Sequence, residues 1–451
     1  MRPRVAWFTP LPPVRSGISA YSVEVLPLLA ATFDIDVFVE DASAARVDGC
    51  VVWSAHDFLW RHLRHPYEVI VYQVGNAPCH DYMWPYLVRF PGLVVLHDAQ
   101  LHHARARSLL SRGRRDDYRE EFRFNHPEVD PAAAEYVVAG FTGAIYYLWP
   151  MLRVVMTAAR AVAVHSAPLA DDLREEFPET TVLHVRMGVR GPREGRLTDR
   201  DQRSPGGSGG GVRFAAFGLM TPEKRLPQVL RALDAIGPYA PHAELVLVGD
   251  TVGHYDVASD IADLSLGNRV RLAGRVSDEE LDHELASADV ALCLRWPSAG
   301  ETSASWLRCL AAGLPTIITD LVTTTDVPSL DPRNWTVLDG APCLAPLPPD
   351  RAVAISIDIL DEDHSLRLAM RRIARDPALR QTLGANARAH WTAHHTLEVM
   401  TGDYVRALEY TMDAAPSPAR SALPKHLMAD GTSLALETLG RMGLAMDDIL
   451  R

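Results

Sequence analysis

The sequence predicts an α/β protein of two doubly wound, parallel-sheet domains. Three observations carry this reading. Short apolar runs alternate with amphipathic helical stretches in the order β, α, β, the pattern of parallel strands joined by right-handed crossovers. The pattern occurs twice, and the two occurrences are separated by a polar stretch at 191–211, rich in Arg, Gly and Asp, that ends in PGGSGGG. At 451 residues the chain is also too long for one ordinary core.

In the first half, the apolar run 5–8 is a strand. A proline-rich loop follows, and Ser16 opens an amphipathic helix to about residue 31. Further strands are read at 35–39, 51–53, 69–72, 93–96, 161–164 and 182–185. The second half begins with a strand at 213–217 and continues with strands at 244–248, 270–273, 290–294 and 316–319. Helices are read at 222–236, 303–312, 365–376 and 377–394. The expected domains are therefore 1–190, a linker at 191–211, 212–395, and helices or a tail at 396–451 that pack back on the first domain. The glycine run at the end of the linker is read as flexible, because no Lys followed by a hydroxyl residue closes it at phosphate-loop spacing.

Composition narrows the function. A net charge of −12 argues against non-specific nucleic-acid binding. Five cysteines, odd in number and without a CxxC, suggest neither a zinc site nor a disulfide framework and fit a reducing cytoplasm. The basic start Met1–Arg4 meets Pro10, Pro12 and Pro13 too soon for a signal peptide, and no apolar stretch is long enough to span a bilayer. The expected location is cytoplasmic, with peripheral contact at the inner face of a membrane as the sharper alternative.

The chemistry concentrates at strand–loop–helix junctions. Around Glu301, Thr302, Ser303 and Ala304 an apolar strand passes into a helix. Thr302 and Ser303 are N-cap candidates, and the open N–H groups there suit a diphosphate. Glu301 is placed to accept hydrogen bonds from sugar hydroxyls. At a second junction, Gly218 is followed by Lys224 and Arg225, cations able to neutralise a leaving diphosphate. In the first half, His97 and Asp98 follow a strand. A third turn, Gly274, Arg275 and Val276, suits a flat base.

These blocks resemble glycosyltransferase family four, retaining enzymes of the GT-B fold, over residues 5–395. The resemblance implies two Rossmann-like doubly wound domains facing a cleft. It implies transfer of a sugar from a UDP- or GDP-linked donor to a glycan, lipid-linked or small-molecule hydroxyl, with no cofactor and no metal. In the resemblance Ser16 and Gly17 approach the diphosphate and sugar, His97 contacts the donor sugar, Lys224 binds the diphosphate, and Arg275 and Val276 flank the base. The runs 164–166 and 186–189 resemble structural and hinge blocks.

The departures are specific. The family motif Glu-x7-Glu falls here on Gly300 and Arg308, so the block resembles a Gly-Glu-Thr-Ser variant. Arg308 has no lone pair to accept from ribose hydroxyls, so it serves a phosphate or ribose is held otherwise. Leu219 stands where the family has an arginine, and Arg225 is the candidate replacement. Two other classes therefore stay open: a nucleotide-sugar epimerase and a non-catalytic partner protein. Asn76, His80 and Asp98 are candidates for the acceptor side. His97, Asp98, His102 and His103 cluster in sequence, but a metal is not expected from adjacent histidines that point apart on a helix. The arginines at 105, 107, 112, 114 and 115 read as a solvated helical face or, more sharply, as a surface for an anionic or lipid-linked acceptor.

Overall fold

A computed structural model describes residues 2–193, 211–253, 255–338, 349–416, 422–429 and 432–444. The expected linker thus lies largely outside the described residues, as does Cys343. The chain forms two compact units. One comprises residues 1–163, 173–183 and 407–451; the other comprises 164–172 and 184–406.

The first unit is built on a seven-stranded sheet of β1 (Arg4–Phe8), β2 (Asp34–Val39), β3 (Val51–Ser54), β4 (Val69–Val74), β5 (Leu93–Leu96), β6 (Ala161–Val164) and β7 (Val182–His184), in the order β3-β2-β1-β4-β5-β6-β7. The central pairings are parallel. β1, β4, β5 and β6 are almost wholly buried, as strands covered on both faces must be. An aromatic cluster fills one side: Phe8 stacks on Phe38 and Tyr72 at 5.1 and 5.0 Å and meets Phe58 edge-on at 5.1 Å.

The second unit repeats the plan with β8 (Arg213–Phe217), β9 (Glu244–Val248), β10 (Val270–Gly274), β11 (Val290–Cys293), β12 (Thr316–Thr319), β13 (Ser329–Leu330), β14 (Val337–Leu338) and β15 (Ala354–Ile357), ordered β10-β9-β8-β11-β12-β15-β13-β14. Separate apolar clusters cover its two faces. The sequence reading did not include β13, β14 or β15. The first two are two-residue strands with no periodicity to read, and the third is a four-residue run close to the helix Glu362–Arg375.

Both sheets reverse strand order beside their first strand, between β1 and β4 and between β8 and β11. Helices leave in opposite directions there, so the carboxyl ends of those strands are open to a ligand.

The helix expected at 222–236 is divided. A 3-10 turn, Pro222–Lys224, is followed by Arg225 at φ +59° and then by the helix Leu226–Ala235. Pro222 and Pro227 each sit in the first turn of a separate segment, where a missing N–H costs nothing.

The short helix Lys425–Met428 packs within the first unit. The Lys425 N–H donates to Glu120 at 3.1 Å, and His426 Nε2 lies 2.7 Å from Glu121. Burial alone would raise the Glu121 carboxyl, but Arg105 and His426 bring it down to about 2.

Gly249, at the end of β9, has φ +143°, and a Cβ there would lie 2.1 Å from the Gly218 carbonyl oxygen. Gly249→Ala should therefore destabilise the second unit by about 2 kcal/mol or more, measured as a lower melting temperature than that of Gly253→Ala, where a Cβ meets nothing within 4 Å.

Candidate functional site

Some of the residues singled out in the sequence gather at the two strand-order reversals, one group in each unit.

In the second unit, β8 ends at Phe217 and the chain turns through Gly218 at φ +93°. The 3-10 turn folds Lys224 back, so that its Nζ donates to the Phe217 carbonyl at 2.7 Å. A Cβ on Gly218 would sit 3.7 Å from both Lys224 Nζ and Ser305 Oγ. The glycine therefore keeps open a space flanked by an ammonium and a hydroxyl. Burial, and next the positive charge of Arg295, pushes the Lys224 ammonium down to about 8.

Across the reversal, β11 leads to Arg295, whose guanidinium pairs with Glu301 Oε1 at 2.6 Å. Glu301 Oε2 accepts from Ser298 Oγ at 3.0 Å and from the Ala299 N–H at 2.7 Å. Glu301 is thus a carboxylate fixed on both oxygens rather than a loose loop acid. Ser303 caps the helix Ala304–Ala311 by accepting from the Trp306 N–H at 3.3 Å, and its Oγ lies 3.2 Å from Ser305 Oγ. Trp306 is anchored in turn by donating to Thr316 at 3.2 Å.

Lys224, Arg295, Glu301, Thr302, Ser303 and Ser305 share one pocket of about 580 Å³, open to solvent. Its remaining wall includes Phe217, Thr319, Leu321 and Thr324. Two cations and the amino end of a helix against one carboxylate favour an anion there.

Several expected donor-site residues stand apart from this pocket. Arg225 gives its guanidinium to Glu362, at 2.8 Å through Nε, so it does not supply the charge that Leu219 lacks. Arg295, by contrast, lines the pocket beside Lys224. Nothing in the sequence reading marked it, because it is brought beside Lys224 only by the pairing of β11 with β8. Gly274, Arg275 and Val276 do not line the pocket. Gly274 ends β10 at φ +64° and Arg275 is exposed. Arg308 is half-buried on the helix of Trp306, also outside the lining.

In the first unit, Ser16 caps the helix Gly17–Leu29 by accepting from Ile18, and nothing lies within 4 Å of a Cβ built on Gly17. His97, just after β5, is held by Gln73 Oε1 at 2.6 Å and by the edge of Tyr21 at 4.9 Å. Asp98 accepts from the Asn76 N–H at 2.7 Å, and Asn76 donates to the Gln100 carbonyl at 2.6 Å. His80 is 1 % exposed, and its Nδ1 donates to the Gln73 carbonyl at 2.8 Å. Its Nε2 is therefore a bare acceptor, and it has no hydrogen-bond partner. Gln73 organises this group through both its side chain and its carbonyl. The only sequence signal for it is a polar residue in the otherwise apolar run VIVYQV.

His102 is turned into the core against Tyr118 at 2.7 Å, away from His97. Among the described residues, the one grouping with metal-ligand spacing lies elsewhere, at Asp117, Glu120 and His426. Three arginines of the basic run are paired: Arg105 with Glu121, Arg107 with Asp81 and Arg114 with Asp117.

Comparison with known proteins bears on the second unit directly. Residues 211–335 match the family model described as Glycosyl transferases group 1. They contain every residue of the pocket around Lys224 and Glu301. Curated proteins give no significant sequence match. Among solved structures, the sucrose-phosphate synthase of Thermosynechococcus elongatus is similar with a TM-score of 0.58 at 16% identity, covering 91% of this chain and 100% of that one. WaaG, a glycosyltransferase involved in lipopolysaccharide biosynthesis, is similar at 0.56 and 13% identity, covering 91% and 100%. HepE of Anabaena, in complex with UDP, is similar at 0.57 and 14% identity, covering 90% and 100%. At such identities the likeness is one of fold, and the fold is GT-B.

Burial holds His80 neutral, bringing it down to about 4, and it acts likewise on His165 and His395, to about 4, and on His390, to about 3. A histidine with a folded value below its unfolded 6.5 contributes stability that is present above 6.5 and lost as pH falls towards 4. The melting temperature should therefore drop steadily between pH 7 and pH 4.5. His80→Gln, which keeps an N–H donor, should flatten part of that drop.

Proposed function

We propose that this protein is a retaining, metal-independent glycosyltransferase that moves a sugar from a UDP- or GDP-linked donor to an acceptor hydroxyl. The observation that carries this reading is the placement of Lys224. Its ammonium is held by the Phe217 carbonyl beside Gly218 and faces Ser305 at the start of a helix, within the segment that matches the group 1 family.

Each residue has a defined part. The donor diphosphate lies against Gly218, Lys224 and the N–H groups of Thr302, Ser303 and Ala304. As the glycosidic bond breaks, negative charge grows on the leaving phosphate oxygen, and Lys224 and Arg295 stabilise it where it develops. Glu301, fixed by Arg295, Ser298 and Ala299, accepts hydrogen bonds from the sugar hydroxyls. The resemblance gives His97, oriented by Gln73, the part of serving the donor sugar, and Ser16 and Gly17 that of serving the diphosphate. Asn76, His80 and Asp98 shape the acceptor side, with His80 acting through Gly75 and Gln73 because it is buried. The departing diphosphate takes the acceptor proton on the same face, which gives retention without an enzymatic nucleophile. The acceptor hydroxyl belongs to a glycan, a lipid-linked or a small-molecule acceptor.

A second reading is a donor-binding protein without transfer activity. The observation favouring it is Arg308, which stands where the family motif has its second glutamate.

Calorimetry with UDP and GDP in EDTA tests the donor reading. One nucleotide should bind in the micromolar range. Lys224→Ala should weaken it by about 2–4 kcal/mol, and Arg225→Ala should leave it nearly unchanged because Glu362 already holds that guanidinium. Only protonated Lys224 attracts a diphosphate, so wild-type affinity should fall as pH rises through about 8, and the mutant should lack that step. Failure of both nucleotides to bind refutes the donor site. Binding followed by neither transfer nor donor hydrolysis across an acceptor panel favours the second reading.

A further inference from the structure

The outer edge of the first sheet carries a surface that sugar transfer does not explain. β3 is the terminal strand. The turn Ala55–Asp57 follows it and leads into the seven-residue helix Phe58–Arg64, sequence FLWRHLR. Two side chains anchor this helix: Phe58, fully buried and edge-on to Phe8, Phe38 and Phe90 at 5.1 to 5.3 Å, and His62, whose Nδ1 accepts from the Tyr67 N–H at 3.2 Å and whose ring meets Phe90 edge-on at 5.6 Å. With Phe58 pointing inward, helical geometry sends Leu59, Trp60 and Leu63 outward. They are 50%, 46% and 73% exposed, and Val51 on β3 is 53% exposed.

Apolar side chains scattered singly over a surface need no explanation, but these are contiguous on one short element. They are also interleaved with cations in a particular way. The Arg61 guanidinium lies 3.0 Å from the centroid of the Trp53 ring and 4.8 Å from that of Trp60, and Arg64 lies 5.5 Å from Trp60. The helix thus presents leucines rimmed by tryptophans that carry arginines on their faces. Nearby, Asp57 faces Trp60 Nε1 at 3.4 Å. The helix itself bears two arginines and no acid, on a chain whose net charge is −12.

We propose that the helix Phe58–Arg64, with the adjoining edge of β3, docks the first unit on an anionic lipid surface. Leu59 and Leu63 enter the boundary between headgroups and acyl chains. Trp60 lies at headgroup level, where an apolar ring with a polar edge is stable, Trp53 backs the Arg61 guanidinium while donating to Asp36 at 2.9 Å, and Arg61 and Arg64 meet lipid phosphates. Local charge decides between occupants. In a two-fold pairing of this surface with itself, Arg61 and Arg64 would face the same arginines of the second copy, whereas an anionic bilayer pairs with them while receiving the leucines. The surface is short, so the attachment is reversible. It replaces the basic run at 105–115 as the place of membrane contact, since three of those guanidiniums are already paired within the first unit. It does not depend on the donor chemistry.

Vesicle co-sedimentation of the full chain tests this, with phosphatidylglycerol–phosphatidylcholine vesicles against pure phosphatidylcholine, at 50 and 500 mM salt. Binding to the anionic vesicles at low salt, at least tenfold stronger than to neutral ones and weakened by salt, is expected. The double variants Leu59→Ser with Leu63→Ser, and Arg61→Gln with Arg64→Gln, should each weaken it at least tenfold. Nucleotide affinity should stay unchanged, which also shows that the variants fold. Absence of anionic-vesicle binding, or equal binding by the variants, overturns the proposal. So does a concentration-dependent dimer in light scattering that the leucine variant abolishes, which would assign the surface to a second copy. A chain that binds vesicles but neither UDP nor GDP would sustain this inference while removing the donor reading.

Discussion

A parallel sheet buried on both faces leaves a ligand one way in, at the carboxyl ends of its strands. The rest of this structure follows from that constraint. Strands such as LVVL in β5 and AVAV in β6 have no polar face to offer. Polar chemistry is therefore pushed to the residues just after each strand, and above all to the reversal points, where neighbouring helices diverge. Ser16, Asn76 and His97 occupy such positions in one unit; Gly218, Arg295 and Glu301 occupy them in the other.

At the second-unit reversal, the electrostatics are arranged through desolvation. Lys224 gives up part of its affinity for a proton to lie against the Phe217 carbonyl, and Arg295 adds to that cost. An arriving diphosphate would relieve both, because it supplies the negative charge that two inward cations lack. Glu301 cannot play that part, since Arg295 and the Ser298 and Ala299 donors already hold its oxygens. The pocket is thus short of negative charge in a defined place, and its glycines keep backbone there instead of side chains. Gly218 leaves room beside Lys224, and Gly249 allows β9 to end against the Gly218 carbonyl.

The first-unit group works by different means. Its histidines are neutral or neighbour-held rings in a dry setting, ordered by Gln73 from the middle of a buried strand. A polar side chain in such a strand is costly unless satisfied, and Gln73 is satisfied by orienting His97, while its carbonyl fixes the tautomer of His80. The same unit exposes leucines and a tryptophan at its outer edge, far along the sheet order from these strands. The proposed docking surface and the proposed sugar contacts thereby fall on separate strands.

The sequence by itself determined the doubly wound α/β class, nearly every long strand, and the positions of Lys224, Glu301, Ser303 and His97. These are set by local pattern: apolar runs of strand length, a capping serine, and polar residues immediately after a strand. Only the tertiary structure decided which charges are available. Arg225 and Arg295 look alike in the chain, but Glu362, 137 positions away, takes the first, while the second is brought beside Lys224 by the pairing of β11 with β8. The division of the helix at Arg225, the short strands β13, β14 and β15, and the organising part of Gln73 were equally hidden. Each depends on contacts between segments distant in sequence, and no periodicity of neighbouring residues encodes those.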